Sequence, residues 1–139
     1  MGILISELGN WDTIIFTVNE QIERNNEMKK RLILSVITGA VLGIFCIVGG
    51  SIRLGWEGNQ LLLFALWYNR LILGLVIGLA GNMVITKTNW NWILRGAVLG
   101  LIVSGAYFLT SGVSDWVSFF AGIVYGVIIE YVLNRFAAD

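Results

Sequence analysis

Hydrophobic positions in this chain fall into long blocks separated by short polar segments. The four blocks lie at 32–52, 67–87, 92–110 and 116–134. A helix needs about 20 apolar residues to cross a hydrocarbon core of about 30 Å, so each block predicts one membrane span. The sequence therefore predicts an all-α integral membrane protein with a four-helix transmembrane bundle in residues 32–139.

The first 31 residues carry a different pattern, which is typical of an amphipathic helix. Apolar side chains recur at alternating spacings of four and three, at Leu4, Leu8, Trp11, Ile15, Val18 and Ile22. The opposite face is charged, and Asn10 or Asp12 is a candidate N-cap. Two interpretations are open: a cytoplasmic helix that binds the membrane interface or a partner, or a helix packed beneath its own bundle.

The blocks also match in pairs. The segment Gly39-Ala40-Val41-Leu42-Gly43 recurs identically at 96–100, and the glycine pair of 74–78 recurs at 122–126. The matches favour a duplicated hairpin, in which spans one and two correspond to spans three and four. The alternative is chance similarity among apolar helices built from few residue types.

The second block needs the repeat to set its limits, because the apolar stretch from Leu61 to Ile85 is longer than one span requires. Aligning Gly74 with Gly122 places Tyr68 opposite Trp116. Span two is then expected to begin near Trp67 and to end near Lys87. Residues 61–66 are expected to lie at the outer interface.

Each span contains two glycines that are four residues apart and so share one helix face. These residues are Gly39, Gly43, Gly74, Gly78, Gly96, Gly100, Gly122 and Gly126. In lipid, helices associate through close packing at such small residues. The glycine faces therefore predict contacts within the bundle or, alternatively, contacts with other copies in an oligomer.

Three charged residues fall within the spans: Arg70, Arg95 and Glu130. Ionisable groups at membrane depth are costly, which makes them candidates for function. Arg70 lies near the expected outer boundary, where its long stem can extend to the headgroups. We predict that it serves as an interfacial anchor together with Trp67 and Trp116.

Arg95 and Glu130 lie near the inner boundary on consecutive antiparallel spans, so their side chains can meet. We expect an ion pair between them. The repeat aligns Asn82 with Glu130, which adds Asn82 to the predicted polar cluster. The cluster is either a fixed contact that joins spans two, three and four, or a cytoplasm-facing step for a proton or an ion.

Basic residues indicate the orientation of the chain. With a cytoplasmic N-terminus, seven lie on the inner side and two on the outer side. The seven are Arg24, Lys29, Lys30, Arg31, Lys87, Arg95 and Arg135, and the two are Arg53 and Arg70. Because positive residues favour the cytoplasmic side, we predict a multi-pass protein of the cell membrane with both termini inside.

Composition excludes several classes of function. Of 139 residues, 57% are hydrophobic and 13% charged, and nine basic residues balance nine acidic ones, so no basic field favours nucleic acid. Histidine is absent and Cys46 is the single cysteine, which excludes a metal site of His and Cys ligands and an intrachain disulfide. We expect no cofactor.

Candidate chemistry is limited to Arg95 and Glu130, so we expect no enzyme. The features favour a small accessory or scaffold subunit of the lipid bilayer that self-associates or docks a membrane-protein partner. The alternative is a subunit of a small oligomeric channel or transporter, with an ion or proton step at the inner leaflet.

Overall fold

The computed structural model describes residues 2–137, and the side chains of residues 11–137. It contains the helices α1 (Gly2–Leu54), α2 (Gln60–Leu79), α3 (Asn91–Thr110) and α4 (Trp116–Phe136), with a 3₁₀ turn at Ala80–Asn82. Each helix is long and apolar enough to cross a membrane, and the described residues form no strand. The protein is an all-α four-helix bundle of the multi-pass membrane class.

Helix α1 runs without a break through the expected boundary at residues 29–31, so the prediction of a separate N-terminal helix is wrong. We call residues 2–30 the arm. At 1.5 Å per residue, the 53 residues of α1 extend about 80 Å. Residues 11–30 are all exposed, which contradicts an arm packed beneath its own bundle. Asn10 and Asp12 lie inside the helix and not at its start, and the side chains of Leu4, Leu8 and Asn10 fall outside the described ones.

Helix α2 begins and ends earlier than the expected limits of 67 and 87, which is a second correction. Gly55 and Gly58 have φ values of 79° and 81°, which glycine adopts without strain, and they allow a short turn before the helix. Leu63 and Leu66 are buried against Cys46 instead of lying at the interface. This burial brings residues 60–66 into the helix.

Side-chain hydrogen bonds stabilise the chain where α2 ends. Arg95 Nη1 donates to the carbonyl oxygens of Gly81 at 2.7 Å and Met83 at 3.2 Å. Asn91 Oδ1 accepts from the backbone N–H groups of Ile85 at 2.8 Å and Thr86 at 3.0 Å. These bonds satisfy backbone groups that a longer helix would have paired internally, so the apolar segment 83–85 needs no further helical turn.

The helices pack as two hairpins, α1 with α2 and α3 with α4, and glycines lie at both contacts. A Cβ added at Gly39 would lie 2.6 Å from the Arg70 carbonyl oxygen of α2, and one added at Gly96 would lie 2.5 Å from the Gly126 carbonyl oxygen of α4. All eight glycines of the pairs are buried. Backbones approach this closely because no side chain separates them.

The end of the bundle opposite the arm joins the two hairpins through an ion pair. Arg53 Nη2, at the end of α1, lies 3.0 Å from Asp115 Oδ1. The same oxygen accepts from the Ser118 backbone N–H at 3.1 Å and caps α4. The ends of α3 and α4 lie within two residues of the predicted spans.

Candidate functional site

A buried carboxylate between α3 and α4 forms the first polar site. Arg95 Nε lies 2.6 Å from Glu130 Oε1, and Arg95 Nη2 lies 2.8 Å from Glu130 Oε2. Glu130 is fully buried. The ion pair expected from the sequence is therefore present, in the two-bond geometry that makes guanidinium–carboxylate contacts strong and directional.

A third residue, Arg31 of α1, joins this pair to form what we call the Glu130 cluster. Its Nη2 donates to both carboxylate oxygens, at 3.1 Å to Oε1 and 3.0 Å to Oε2. The sequence interpretation assigned Arg31 to the polar boundary and missed this role. A signal was available, because Arg31, Ser35 and Gly39 are four residues apart and share the face of α1 that packs on the bundle.

Asn82 was expected in the cluster but lies outside it. Its side chain is exposed, and within the described residues no hydrogen bond links it to Arg95 or Glu130. The backbone beside it takes part instead, through the carbonyl oxygens of Gly81 and Met83 that Arg95 binds. The Glu130 cluster thus connects α1, the end of α2, α3 and α4.

The chemistry of the Glu130 cluster is electrostatic. Two guanidinium groups surround one carboxylate, so the three side chains carry a net charge of +1. Each oxygen of Glu130 accepts bonds from both arginines, which holds the carboxylate in a fixed position. Removing Glu130 would leave two cations without an anion, which is strongly destabilising, whereas removing one arginine would leave a neutral pair.

The second polar site centres on Arg70 of α2, and we call it the Arg70 cluster. Arg70 Nε donates to Cys46 Sγ at 3.2 Å and Nη1 donates to Ser104 Oγ at 2.7 Å. Nη2 donates to the Ser118 carbonyl oxygen at 2.6 Å, and the guanidinium carbon lies 5.4 Å from the centre of the Tyr125 ring. One side chain of α2 therefore contacts α1, α3 and α4.

This position corrects the prediction that Arg70 is an interfacial anchor. The side chain is 0% exposed and cannot extend to the headgroups. Arg70 lies at helical spacing from Leu66 and Leu73, both fully buried, so it belongs to the inward face of α2. Among the described residues, its hydrogen bonds go to neutral acceptors and not to a carboxylate.

The two tryptophans expected at the interface differ in placement. Trp67 is half-buried, and its Nε1 donates to the Ala40 carbonyl oxygen of α1 at 3.1 Å. Trp116 is exposed at the start of α4 and packs edge-on against Phe108, with ring centres 4.6 Å apart. Trp67 therefore stabilises the contact between α1 and α2, while Trp116 keeps the exposure that an anchor needs.

A buried apolar cluster packs beside the polar residues within the bundle. It consists of Leu73, Ile77, Leu99, Ile129 and Leu133.

No known protein family, characterised protein or solved structure matches this chain. Its function is therefore inferred from the arm, the two clusters and the cavity beside them.

That cavity lies at the base of the arm, next to the Glu130 cluster, and has a volume of about 490 Å³. Its wall combines the end of the arm with the end of α2, the 3₁₀ turn and Ala137 after α4. Arg24, Lys29 and Arg31 are its basic residues, and Glu27 is its acidic one. The cavity therefore joins a basic surface to the apolar start of the first span.

Proposed function

We propose that this protein is a non-enzymatic membrane scaffold that self-associates through its arm. The observation that carries the proposal is the exposure of the whole described arm, residues 11–30, on a helix that continues into the bundle. The four-helix bundle anchors the protein in the membrane. The arm brings copies of the protein together outside it.

The apolar stripe of the arm has the spacing of a coiled coil. Trp11, Ile15, Val18 and Ile22 are each at least half exposed and alternate by four and three residues, as positions a and d of a heptad do. Leu4 and Leu8 continue this spacing in the sequence. The next position is Asn25, and a polar residue there favours one register. A second arm would cover this stripe and remove it from water.

The charged residues between positions 14 and 28 of the arm lie away from the stripe and leave it accessible. In the same heptad, the outward positions hold Glu20, Glu23, Arg24 and Glu27. Arg24 Nη2 lies 3.2 Å from Glu20 Oε1, so this pair forms within one helix. The positions beside the stripe are uncharged from residue 14 to residue 28. Two parallel arms can therefore approach along residues 14–28 without repulsion between like charges, and Asp12 and Lys29 lie outside that stretch.

A projecting arm fits these facts better than one lying on the membrane surface. An interfacial helix lies in the plane of the membrane, whereas the arm is the same helix as the first span. Sharp helix bends occur mainly at proline or glycine, and the chain has no proline and no glycine between Gly9 and Gly39. Arg31, bound to Glu130, also holds the base of the arm against the bundle.

We infer further that both termini are cytoplasmic, because most basic residues lie on the arm side. We also interpret the two glycine-containing hairpins as copies of one ancestral unit. The support is the identical segment at 39–43 and 96–100. The glycine contacts differ in register, because Gly39 packs near Gly74 whereas Gly100, the equivalent of Gly43, packs near Gly122. The glycine faces are occupied by contacts inside the bundle. The arm is therefore the surface left for assembly.

The oligomeric mass in detergent tests the proposal. The full-length protein should have a particle mass, after subtraction of detergent, that is a multiple of 15.4 kDa. Replacing Ile15 and Val18 together by Glu should reduce it to one chain, because charges at a and d positions disfavour association. Multi-angle light scattering and cross-linking measure both.

A matched control is Phe16→Glu, which changes an exposed apolar residue of the arm that lies outside the stripe. It should leave the oligomer intact. A monomeric wild-type protein would refute self-association. So would an oligomer that survives the double substitution at Ile15 and Val18.

The alternative function is a transporter or channel subunit, favoured by one observation: Glu130 is a fully buried carboxylate in a span. Its contacts with two guanidinium groups favour a fixed structural role instead. Proteoliposomes with a pH-sensitive dye distinguish the two. A proton flux that Glu130→Gln abolishes while the folded oligomer persists would support transport over scaffolding.

A further inference from the structure

We propose that the cavity at the base of the arm binds an anionic phospholipid, with its headgroup phosphate at Arg31 and Lys29. The cavity holds about 490 Å³ and lies where the arm meets the first residues of the apolar block. The wall of this site includes none of the apolar residues of the stripe, which ends at Ile22, before Asn25 and Lys29 of the wall. The inference therefore does not depend on self-association.

Charge at the cavity favours an anion. Three basic residues line it against one acidic residue, Glu27, and behind the wall the charges of Arg95 and Glu130 cancel, so the wall itself carries the positive charge. Arg24 is partly neutralised by Glu20 on the outer face of the arm. Lys29 and Arg31 remain the main basic groups of the wall. A lipid phosphate is the anion that a membrane supplies at this depth.

Arg31 has unused hydrogen-bonding capacity. Its Nη2 binds Glu130, whereas its Nε is buried and has no partner among the described residues. Gly81 also lines the cavity, and a Cβ added there would lie 2.8 Å from this Nε. Gly81 therefore packs against Nε and closes that edge of the guanidinium. Nη1 takes no part in the contact with Glu130 and is the donor left for a phosphate oxygen, with which a guanidinium forms strong charge-assisted bonds.

The remaining wall favours a lipid over free phosphate. Its apolar residues are Met28, Leu32, Gly78, Leu79 and Ala137. Leu79 is 70% exposed on the outer surface of α2, so the apolar part of the cavity continues onto the surface that faces lipid tails. A ligand that combines a phosphate with hydrocarbon matches both parts of the wall. Free phosphate matches only the basic part.

Thermal unfolding of the full-length protein in a neutral detergent tests the site. Increasing amounts of phosphatidylglycerol should raise the unfolding midpoint saturably, because a ligand that binds the folded state stabilises it. Equal amounts of phosphatidylcholine, or of inorganic phosphate, should have a much smaller effect. An equal rise with phosphatidylcholine, or a full rise with inorganic phosphate, would overturn the assignment to an anionic lipid.

Two lysine variants locate the site. Lys29→Gln removes a basic residue of the cavity wall and should weaken phosphatidylglycerol binding about fivefold, in line with one lysine near an anionic lipid surface. Lys87→Gln removes an exposed lysine in the loop after α2, outside the wall, and should leave binding unchanged. Equal losses in both variants would show diffuse attraction to charge and overturn the site.

Discussion

The bundle encloses two arginines of different depth, Arg70 and Arg95, and it compensates their charges in different ways. Arg95 meets a carboxylate, Glu130, which a second arginine also binds. Arg70 meets only neutral acceptors, which come from three other helices. A guanidinium cannot lose its charge in a protein, so both sites must stabilise a permanent cation. One does it by ion pairing and the other by dipoles.

This difference predicts how strongly a substitution in each cluster destabilises the protein. In the Glu130 cluster, a single carboxylate serves two cations, so its loss affects both. In the Arg70 cluster the cation itself is the shared member, so removing it leaves neutral groups without a donor. Unpaired charges cost more than unpaired neutral groups in a buried site.

The largest expected effect follows from Glu130→Gln. The substitution keeps the shape of the side chain but leaves the buried Arg95 and the partly exposed Arg31 without an anion. We expect a loss of about 3–5 kcal/mol in the free energy of unfolding, the range for breaking a buried ion pair. Denaturant titration of the detergent-solubilised protein, followed by tryptophan fluorescence, measures it.

Two further variants control this experiment. Glu27→Gln changes an exposed glutamate of the arm and should leave the stability nearly unchanged. Combining Glu130→Gln with Arg95→Gln removes one of the uncompensated cations and should recover part of the loss. A Glu130→Gln protein as stable as the wild type would contradict a structural role for the Glu130 cluster.

A substitution in the Arg70 cluster is expected to destabilise the protein less than Glu130→Gln does. Arg70→Met removes the buried cation, fills much of its volume and leaves only neutral groups, such as the Ser104 hydroxyl, without a donor. We expect a loss of about 1–3 kcal/mol in the free energy of unfolding, the cost of unsatisfied neutral groups. The same denaturant titration gives the value.

Arg135→Met is the matched control, since Arg135 is exposed at the end of α4, and it should be close to neutral. If Arg70→Met destabilises the protein more than Glu130→Gln does, then the neutral contacts of Arg70 stabilise the fold more than the ion pairs of Glu130 do. The proposed ranking of the two clusters would then be reversed.

Much of the fold was predictable because the bilayer sets the length of a span. Apolar blocks of that length mark four helices. The pair of Arg95 and Glu130 was predictable for a related reason: both lie at the same depth on antiparallel neighbours. The limits of α2 were wrong because they were copied from α4 through the repeat. Burial of Leu63 and Leu66, which is a tertiary contact, determines where α2 begins.

The roles missed at Arg31 and Arg70 share one cause: in a hydropathy pattern a charged residue marks a boundary. Lysine and arginine are good helix formers, so the basic segment 29–31 marks an expected membrane limit without ending α1. Arg70 was placed at the surface because its partners, Cys46 and Ser104, are neutral and nothing in the sequence identifies them as acceptors. Helical spacing from Leu66 and Leu73 was the available signal.

A third arginine, Arg53, extends the comparison to a partly exposed pair and gives the smallest expected effect. Its side chain is 36% exposed, and it binds Asp115 at the end of the bundle opposite the arm. Arg53→Gln should cost less than about 1 kcal/mol in the free energy of unfolding, because water screens exposed pairs. The measurement is the denaturant titration used for the other two arginines, now with and without high salt.

The pH dependence of the free energy of unfolding distinguishes the contribution of the Arg53–Asp115 pair from that of the other charges. Burial favours a higher pKa for Asp115, but hydrogen bonds from Ser118 and the Arg53 guanidinium hold its pKa below the ordinary value of 3.8. A carboxyl whose pKa is lowered by folding stabilises the fold above 3.8, and this stability disappears as the pH falls through the lower folded-state pKa. Asp115→Asn should therefore reduce the difference in stability between pH 6 and pH 3, roughly the two sides of that transition. An unchanged difference would mean that Asp115 contributes nothing through its charge, and the ion pair of Arg53 would then be energetically neutral, unlike that of Arg95.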